Sequence, residues 1–90
     1  MGQKDVQFFN TLARMAELRL DQFNAQKIAN TAWAFATVGQ QDEQLFTALA
    51  GMAKLLLDKF NPQSLANAVW AFATVGLQDE QLFKAFRKAL

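Results

Sequence analysis

The chain has 90 residues, of which 52% are hydrophobic and 19% are charged, and its formal net charge is +1. This length allows one domain at most, and so small a net charge argues against a general electrostatic grip on nucleic acid. The absence of Cys excludes disulfides and thiolate metal sites, and no apolar run approaches the roughly 20 residues that cross a bilayer.

A repeat with a period of 37 residues organises the sequence. The segment from Asp21 to Gly39 recurs from Asp58 to Gly76, and 20 of the 33 aligned positions that start at 21 and at 58 are identical. The same offset aligns residues 5–20 with residues 42–57. The chain therefore divides into half a repeat at 1–20, a complete repeat at 21–57 and a second, truncated repeat at 58–90.

Each repeat predicts two helices, called A and B, and their order along the chain is B-A-B-A-B. Helix B is predicted to begin at Asp5, Asp42 or Asp79, because acidic residues favour the positive end of the helix dipole. These three positions are spaced by the repeat period.

Helix A has clear signals at both of its ends. It is predicted to begin after Asn24 or Asn61, since Asn is a good N-cap residue. Pro62 then occupies the first helical position, where its missing N–H costs nothing. Gly39 and Gly76 predict left-handed stops after the last turn.

Helix A also carries a broad apolar band at helical spacing. Trp33 and Phe35 belong to this band in one repeat, Trp70 and Phe72 in the next, and all four are predicted core residues. A lone hairpin cannot bury so much apolar surface, whereas stacked hairpins cover each other. The predicted fold class is therefore all-α, an α-solenoid of helix-turn-helix repeats with five helices. Neither end has a polar outer face, so we predict self-association through uncapped ends.

The sequence Pro-Gln-Ser-Leu-Ala-Asn-Ala-Val-Trp-Ala-Phe-Ala at 62–73 resembles the core of the octotricopeptide repeat, as does its counterpart at 25–36. The period is also similar to that of heptatricopeptide repeats and of repeats from intracellular bacteria. The resemblance implies an α-solenoid that binds single-stranded RNA and acts in post-transcriptional regulation. It further implies a location in a chloroplast or mitochondrion.

Modular RNA readers address each base with a few exposed side chains that differ between repeats. Two positions on the stripe of helix A opposite the apolar band differ in this way, and a third carries Asn in both repeats. We predict that the variable pairs set base preference and that the Asn residues bind base edges or backbone. The alternatives are free drift and, for Asn, a bond between neighbouring helices. The candidates are Lys27, Asn30, Thr31, Ser64, Asn67 and Ala68.

Other polar and aromatic side chains leave two interpretations open. Gln26 and Gln63, in the first turn of helix A, either cap free N–H groups or reach an RNA phosphate. The two Trp side chains either pack in the core or stack on bases. Lys84, Arg87 and Lys88 either contact phosphates, with strongly salt-dependent affinity, or form a solvated surface.

Catalysis is not predicted, and neither is a cofactor or a metal. The chain has no His and no Tyr, and its single Ser, Ser64, has no base to activate it. The function predicted first is a modular single-stranded RNA-binding repeat segment. The alternatives are a helical-repeat scaffold for protein–protein interaction and a structural spacer.

Overall fold

The computed structural model describes the backbone of residues 3–89 and the side chains of residues 6–89. Within that range it contains five α-helices, two short 3-10 turns and no strand. The helices are α1 (Gln3–Leu18), α2 (Ala25–Thr37), α3 (Glu43–Leu55), α4 (Pro62–Thr74) and α5 (Glu80–Ala89). The all-α class and the five helices are confirmed, with α1, α3 and α5 as the B helices and α2 and α4 as the A helices.

The A helices begin where the sequence predicts. The side chain of Asn24 accepts a hydrogen bond from the backbone N–H of Lys27 at 2.7 Å, and Asn61 does the same for Ser64 at 2.7 Å. The Ser64 hydroxyl also accepts from the backbone N–H of Asn61 at 3.0 Å, which completes a capping box. Pro62 occupies the first turn of α4, where no N–H partner is lost.

The B helices α3 and α5 are capped by aspartate. Asp42 accepts from the backbone N–H of Leu45 at 2.9 Å, and Asp79 accepts from that of Leu82 at 3.0 Å. The predicted start of α1 at Asp5 is wrong, because the helix already includes Gln3. Gln is a good helix former, which allows the helix to begin before Asp5.

Both A helices end in a turn that requires glycine. Gly39 has φ 76° and Gly76 has φ 72°, and both donate to the carbonyl three residues earlier in the chain. The next residue, Gln40 or Leu77, donates back to Phe35 or Phe72 at 2.9 and 3.1 Å. This is the Schellman motif, in which only glycine takes the left-handed position without strain.

The helices form two rows. The most extensive helix pairing joins α2 to α4, and α3 contacts both α1 and α5. Small side chains occupy the α2–α4 contact, among them Ala29 and Ala32 of α2 and Ala68 and Ala71 of α4, all fully buried. Small residues let two helices approach closely, so the two backbones pack near each other at this contact. The A row thus lies on the B row in a body of 40 × 25 × 20 Å.

Phenylalanine pairs join the two rows with the period of the repeat. The ring centroids of Phe9 and Phe35 are 5.9 Å apart, and those of their counterparts Phe46 and Phe72 are 5.8 Å apart, both edge to face. Phe72 also contacts Phe86 at 6.1 Å. Phe46, Phe72 and Phe86 are among the largest fully buried side chains, so these rings form the centre of the core.

Ion pairs link successive B helices at their N-caps. Lys54 Nζ lies 2.7 Å from Asp79 Oδ2, and Arg14 Nη2 lies 2.5 Å from Asp42 Oδ1. The two cations are not at equivalent positions, because Glu17 stands where Lys54 would be and is itself paired with Arg14. The same helix contact is therefore neutralised by a different residue in each repeat.

The Lys54–Asp79 pair predicts a small loss of stability in acid. The hydrogen bond that the Asp79 carboxylate accepts from Lys54 holds the pKa of Asp79 below the ordinary value of 3.8. The pair therefore stabilises the folded state above that value, and its contribution is lost as pH falls from about 4 through the lowered pKa. Asp79→Asn keeps the cap and should cost only a few tenths of a kcal/mol at pH 7. Urea unfolding at pH 7 and pH 3 should show a smaller acid loss in Asp79→Asn than in the unmodified chain, and equal losses would contradict the assignment.

Candidate functional site

Each A helix has one side that is buried in both repeats and faces the B row. Ile28 and Phe35 of α2 occupy it, as do Leu65 and Phe72 of α4, with exposed fractions of at most 7%. This side contains the phenylalanine pairs and is purely structural.

Two further sides are buried only where another A helix is present. The side of α4 that faces α2 is buried, whereas the same side of α2 is open. Conversely, the side of α2 that faces α4 is buried, whereas the same side of α4 is open. On the first side Ser64, Ala68 and Ala71 are buried, whereas their α2 counterparts Lys27 and Ala34 are exposed and Thr31 is half-buried. On the second side Ala29, Ala32 and Ala36 are buried, whereas their α4 counterparts Ala66 and Ala73 are exposed and Val69 is half-buried. Both sides therefore belong to the contact between repeats.

The fourth side points away from the B row, and its residues are exposed except Asn67, which is half-buried; we call this side the ridge. It is formed by residues at helical spacing, and all four ridge residues of α2 recur unchanged in α4. The ridge consists of Gln26, Asn30, Trp33 and Thr37 in α2 and of Gln63, Asn67, Trp70 and Thr74 in α4. It is the candidate functional surface, because it is the one side of helix A that neither row covers.

Amide side chains from both helices meet at one end of the ridge. Asn30 and Asn67 line a shallow groove of about 100 Å³ together with Gln26, Gln63 and the cap residues of α4. Among the described residues, no side-chain hydrogen bond involves any of these four amides. The predicted alternatives, capping of free N–H groups by Gln and a bond from Asn to a neighbouring helix, are therefore not observed, since Asn24 and Asn61 provide the caps. The ridge amides are free to bind a ligand.

Two of the predicted base-reading residues are corrected by the structure. Ser64 is 5% exposed, with its hydroxyl in the capping box, and Ala68 is fully buried against α2. Neither side chain is accessible to RNA. Their counterparts Lys27 and Thr31 lie on the open side of α2, where Lys27 Nζ sits 5.6 Å from the centre of the Phe23 ring. The differences between repeats therefore reflect the packing of α4 on α2 and do not form a repeated reading position.

The predicted core assignment of the two tryptophans is also wrong. Trp33 is 46% exposed and Trp70 is 48% exposed, whereas Phe35 and Phe72 are buried. At 100° per residue, Trp33 lies about 150° around the helix from the mean direction of Ile28 and Phe35. Ala29 and Ala36 lie between Trp33 and the core side around the helix, so the apolar band is continuous and alone could not distinguish the ridge from the core.

The predicted phosphate-contact residues lie apart from the ridge. Lys84, Arg87 and Lys88 are exposed on α5, which belongs to the B row. Lys84 and Arg87 line one open depression, and Lys88 lines another with Lys54 and Asp58. The structure does not bring these cations together with the ridge amides.

Neither a metal-binding cluster nor a membrane-spanning helix is found among the described residues. No group of three or more acidic side chains is placed to hold a metal ion. No helix in that part of the chain is long and apolar enough to cross a membrane.

Comparison with known proteins gave one family. The model of the RNA-editing substrate-binding complex 6 protein family matches residues 1–89, which is nearly the whole chain. No curated protein and no solved structure shows significant similarity to it.

Proposed function

Because the chain belongs to the RNA-editing substrate-binding complex 6 protein family, we propose that it is a helical-repeat segment that binds single-stranded RNA through its ridge. The family is named for a complex that binds RNA-editing substrates. The ridge supplies exposed amides and aromatic rings, the groups with which proteins contact unpaired bases. No chemical step belongs to this proposal.

The observation that carries the proposal is the identity of the ridge in two successive helices. Gln26, Asn30 and their neighbours recur at the same positions of α4, on the side that packing leaves free. A side that only meets solvent is free to change between repeats. A side that carries the same four residues in both repeats can make the same contacts at two successive places. A linear ligand made of repeating units requires such an arrangement.

The proposal includes an α-solenoid architecture. The B–B contacts recur with the period of the repeat, and α4 covers the side of α2 formed by Ala29, Ala32 and Ala36. In such an array the ridge would continue from one A helix to the next. Octotricopeptide-like function and an organellar location, in a chloroplast or mitochondrion, remain predictions from the resemblance.

Binding of labelled RNA tests the proposal directly. We expect the anisotropy of a fluorescein-labelled 12-nucleotide RNA to rise on titration with the chain, and an RNA duplex of equal length to compete poorly. Replacing Asn30 and Asn67 by Ala should weaken binding about tenfold, because two amide contacts of roughly 0.5–1.5 kcal/mol each are lost. Gln7→Ala with Gln81→Ala, which removes two exposed amides from the B row, is the matched control and should change affinity less. An affinity that the Asn30 and Asn67 substitutions leave unchanged would show that RNA does not use the ridge amides.

A protein-binding scaffold is the second candidate function, and one observation favours it. Leu18 and Leu55 occupy equivalent positions at the ends of α1 and α3 and are 82% and 75% exposed. A repeated exposed leucine suits an apolar partner surface. Replacing both by Ser should leave RNA affinity unchanged under our proposal, and a protein partner that dissociates from this double variant would support the scaffold.

A further inference from the structure

The two tryptophans lie half in solvent, where much of each ring contributes nothing to the core. Trp is highly buried on average in proteins, yet Trp33 and Trp70, the only two in the chain, are about half exposed. The aromatic contacts found among the described residues all join phenylalanines. Leaving large apolar rings in water lowers the stability gained on folding, so we look to a ligand for their role.

Each indole has hydrogen-bonding neighbours on its own helix. Asn30 precedes Trp33 by three positions and Thr37 follows it by four, and side chains at these spacings are adjacent on a helix surface. The same neighbours surround Trp70. A flat ring beside an amide with both donors and an acceptor matches a planar ligand that has hydrogen-bonding edges. Nucleobases have this chemistry.

We propose that Trp33 and Trp70 each stack on one base of a single-stranded RNA while Asn30 and Asn67 bind the edges of the stacked bases. This inference rests on the proposed function and assigns its contacts. It gives the segment a footprint of two stacked bases, one for each A helix.

The spacing of the two indoles selects an unstacked strand. Helices packed through small residues lie at about 8–10 Å from axis to axis. Phosphates in a stacked strand of a duplex advance only about 3.4 Å per nucleotide. Consecutive bases that sit on both indoles must therefore be pulled apart, which a duplex does not allow. The ridge is thereby selective for single strands by geometry.

The composition of the ridge also predicts weak dependence on sequence and salt. Both repeats present the same four side chains, and stacking tolerates any base because every base has a π-face. No ridge residue is charged, so few counterions are released on binding. The slope of log affinity against log salt should be shallow, below the value of about 0.7 that each phosphate contact adds for single strands.

Intrinsic fluorescence is a direct test, because the chain has two Trp and no Tyr. Titration with a 12-nucleotide oligouridine should quench the emission of both single-Trp variants, Trp33→Phe and Trp70→Phe, and an RNA duplex of equal length should not. Anisotropy of the labelled oligouridine should show affinity falling about 5- to 150-fold in Trp33→Leu or Trp70→Leu, the range expected for one lost stacking contact. The Phe variants, which retain a ring, should lose less. Leu55→Ser, in the B row, is the control and should bind as the unmodified chain does.

The outcomes separate this inference from the proposed function. Binding seen by anisotropy without quenching, and undiminished in both Leu variants, overturns the stacking assignment and leaves RNA binding standing. Absence of binding up to millimolar oligouridine overturns both. Circular dichroism checks that each variant is folded, and the two Phe variants decide the question if a Leu variant aggregates.

Discussion

Phe72→Ala should lower the free energy of unfolding by about 3–5 kcal/mol, the largest effect we expect from one truncation. The Phe72 ring is fully buried and contacts Phe46 at 5.8 Å and Phe86 at 6.1 Å, so it joins α4 to both α3 and α5. Its removal leaves a cavity between the two rows and abolishes an edge-to-face contact with Phe46 and a tilted contact with Phe86. A domain of this size has roughly 5–10 kcal/mol in total, so the substitution removes a large part of the stability, which urea unfolding measures.

Trp70→Ala is the matched control, since it removes a larger ring from the same helix. The side chain of Trp70 is 48% exposed, so we expect a loss of only about 1–2 kcal/mol, measured by thermal unfolding followed by circular dichroism. Equal destabilisation by the two substitutions would contradict the placement of Trp70 on the ridge. It would instead favour the core position that the apolar pattern alone suggests.

The sequence was sufficient for the features that depend on local chemistry. Asn24, Asn61 and Pro62 mark helix starts because their side chains act on the first turn, and Gly39 and Gly76 mark helix ends because only glycine takes the left-handed turn cheaply. The period of 37 residues gave the number and order of the helices. None of these inferences requires knowledge of what lies beside a helix.

The candidate site depends on neighbours, and there the helical pattern was insufficient. A single apolar band suggests one buried side. When a neighbouring A helix packs on each flank, however, three sides of helix A are covered. Ser64 and Ala68 were therefore expected in solvent and Trp33 in the core, each opposite to the structure. Identity between repeats at Asn30 and Asn67 was a better signal than variation, because the variable positions 27/64 and 31/68 lie on the side that packs against another A helix.

Leucine substitutions at equivalent alanines should lower stability in one repeat and leave it nearly unchanged in the other. Ala71 is fully buried against α2, and its counterpart Ala34 is exposed on the open side of α2. Ala71→Leu inserts three carbon atoms into a close helix contact and should cost about 1–3 kcal/mol or more. Ala34→Leu meets no neighbour and should change stability by less than about 0.5 kcal/mol. Urea unfolding of the two variants measures the difference.

The other flank of the A helices should show the reverse order, which makes the set decisive. Ala29 is fully buried against α4, whereas Ala66 is exposed on the open side of α4. Ala29→Leu should therefore destabilise the fold and Ala66→Leu should be tolerated. On this flank the sensitive alanine belongs to the first repeat, whereas on the other flank it belongs to the second. An intrinsic property of the repeat sequence would make equivalent positions behave alike in both repeats. Only stacking of α4 on α2 predicts the crossed pattern, and the same stacking is what leaves the ridge as the free side of both helices.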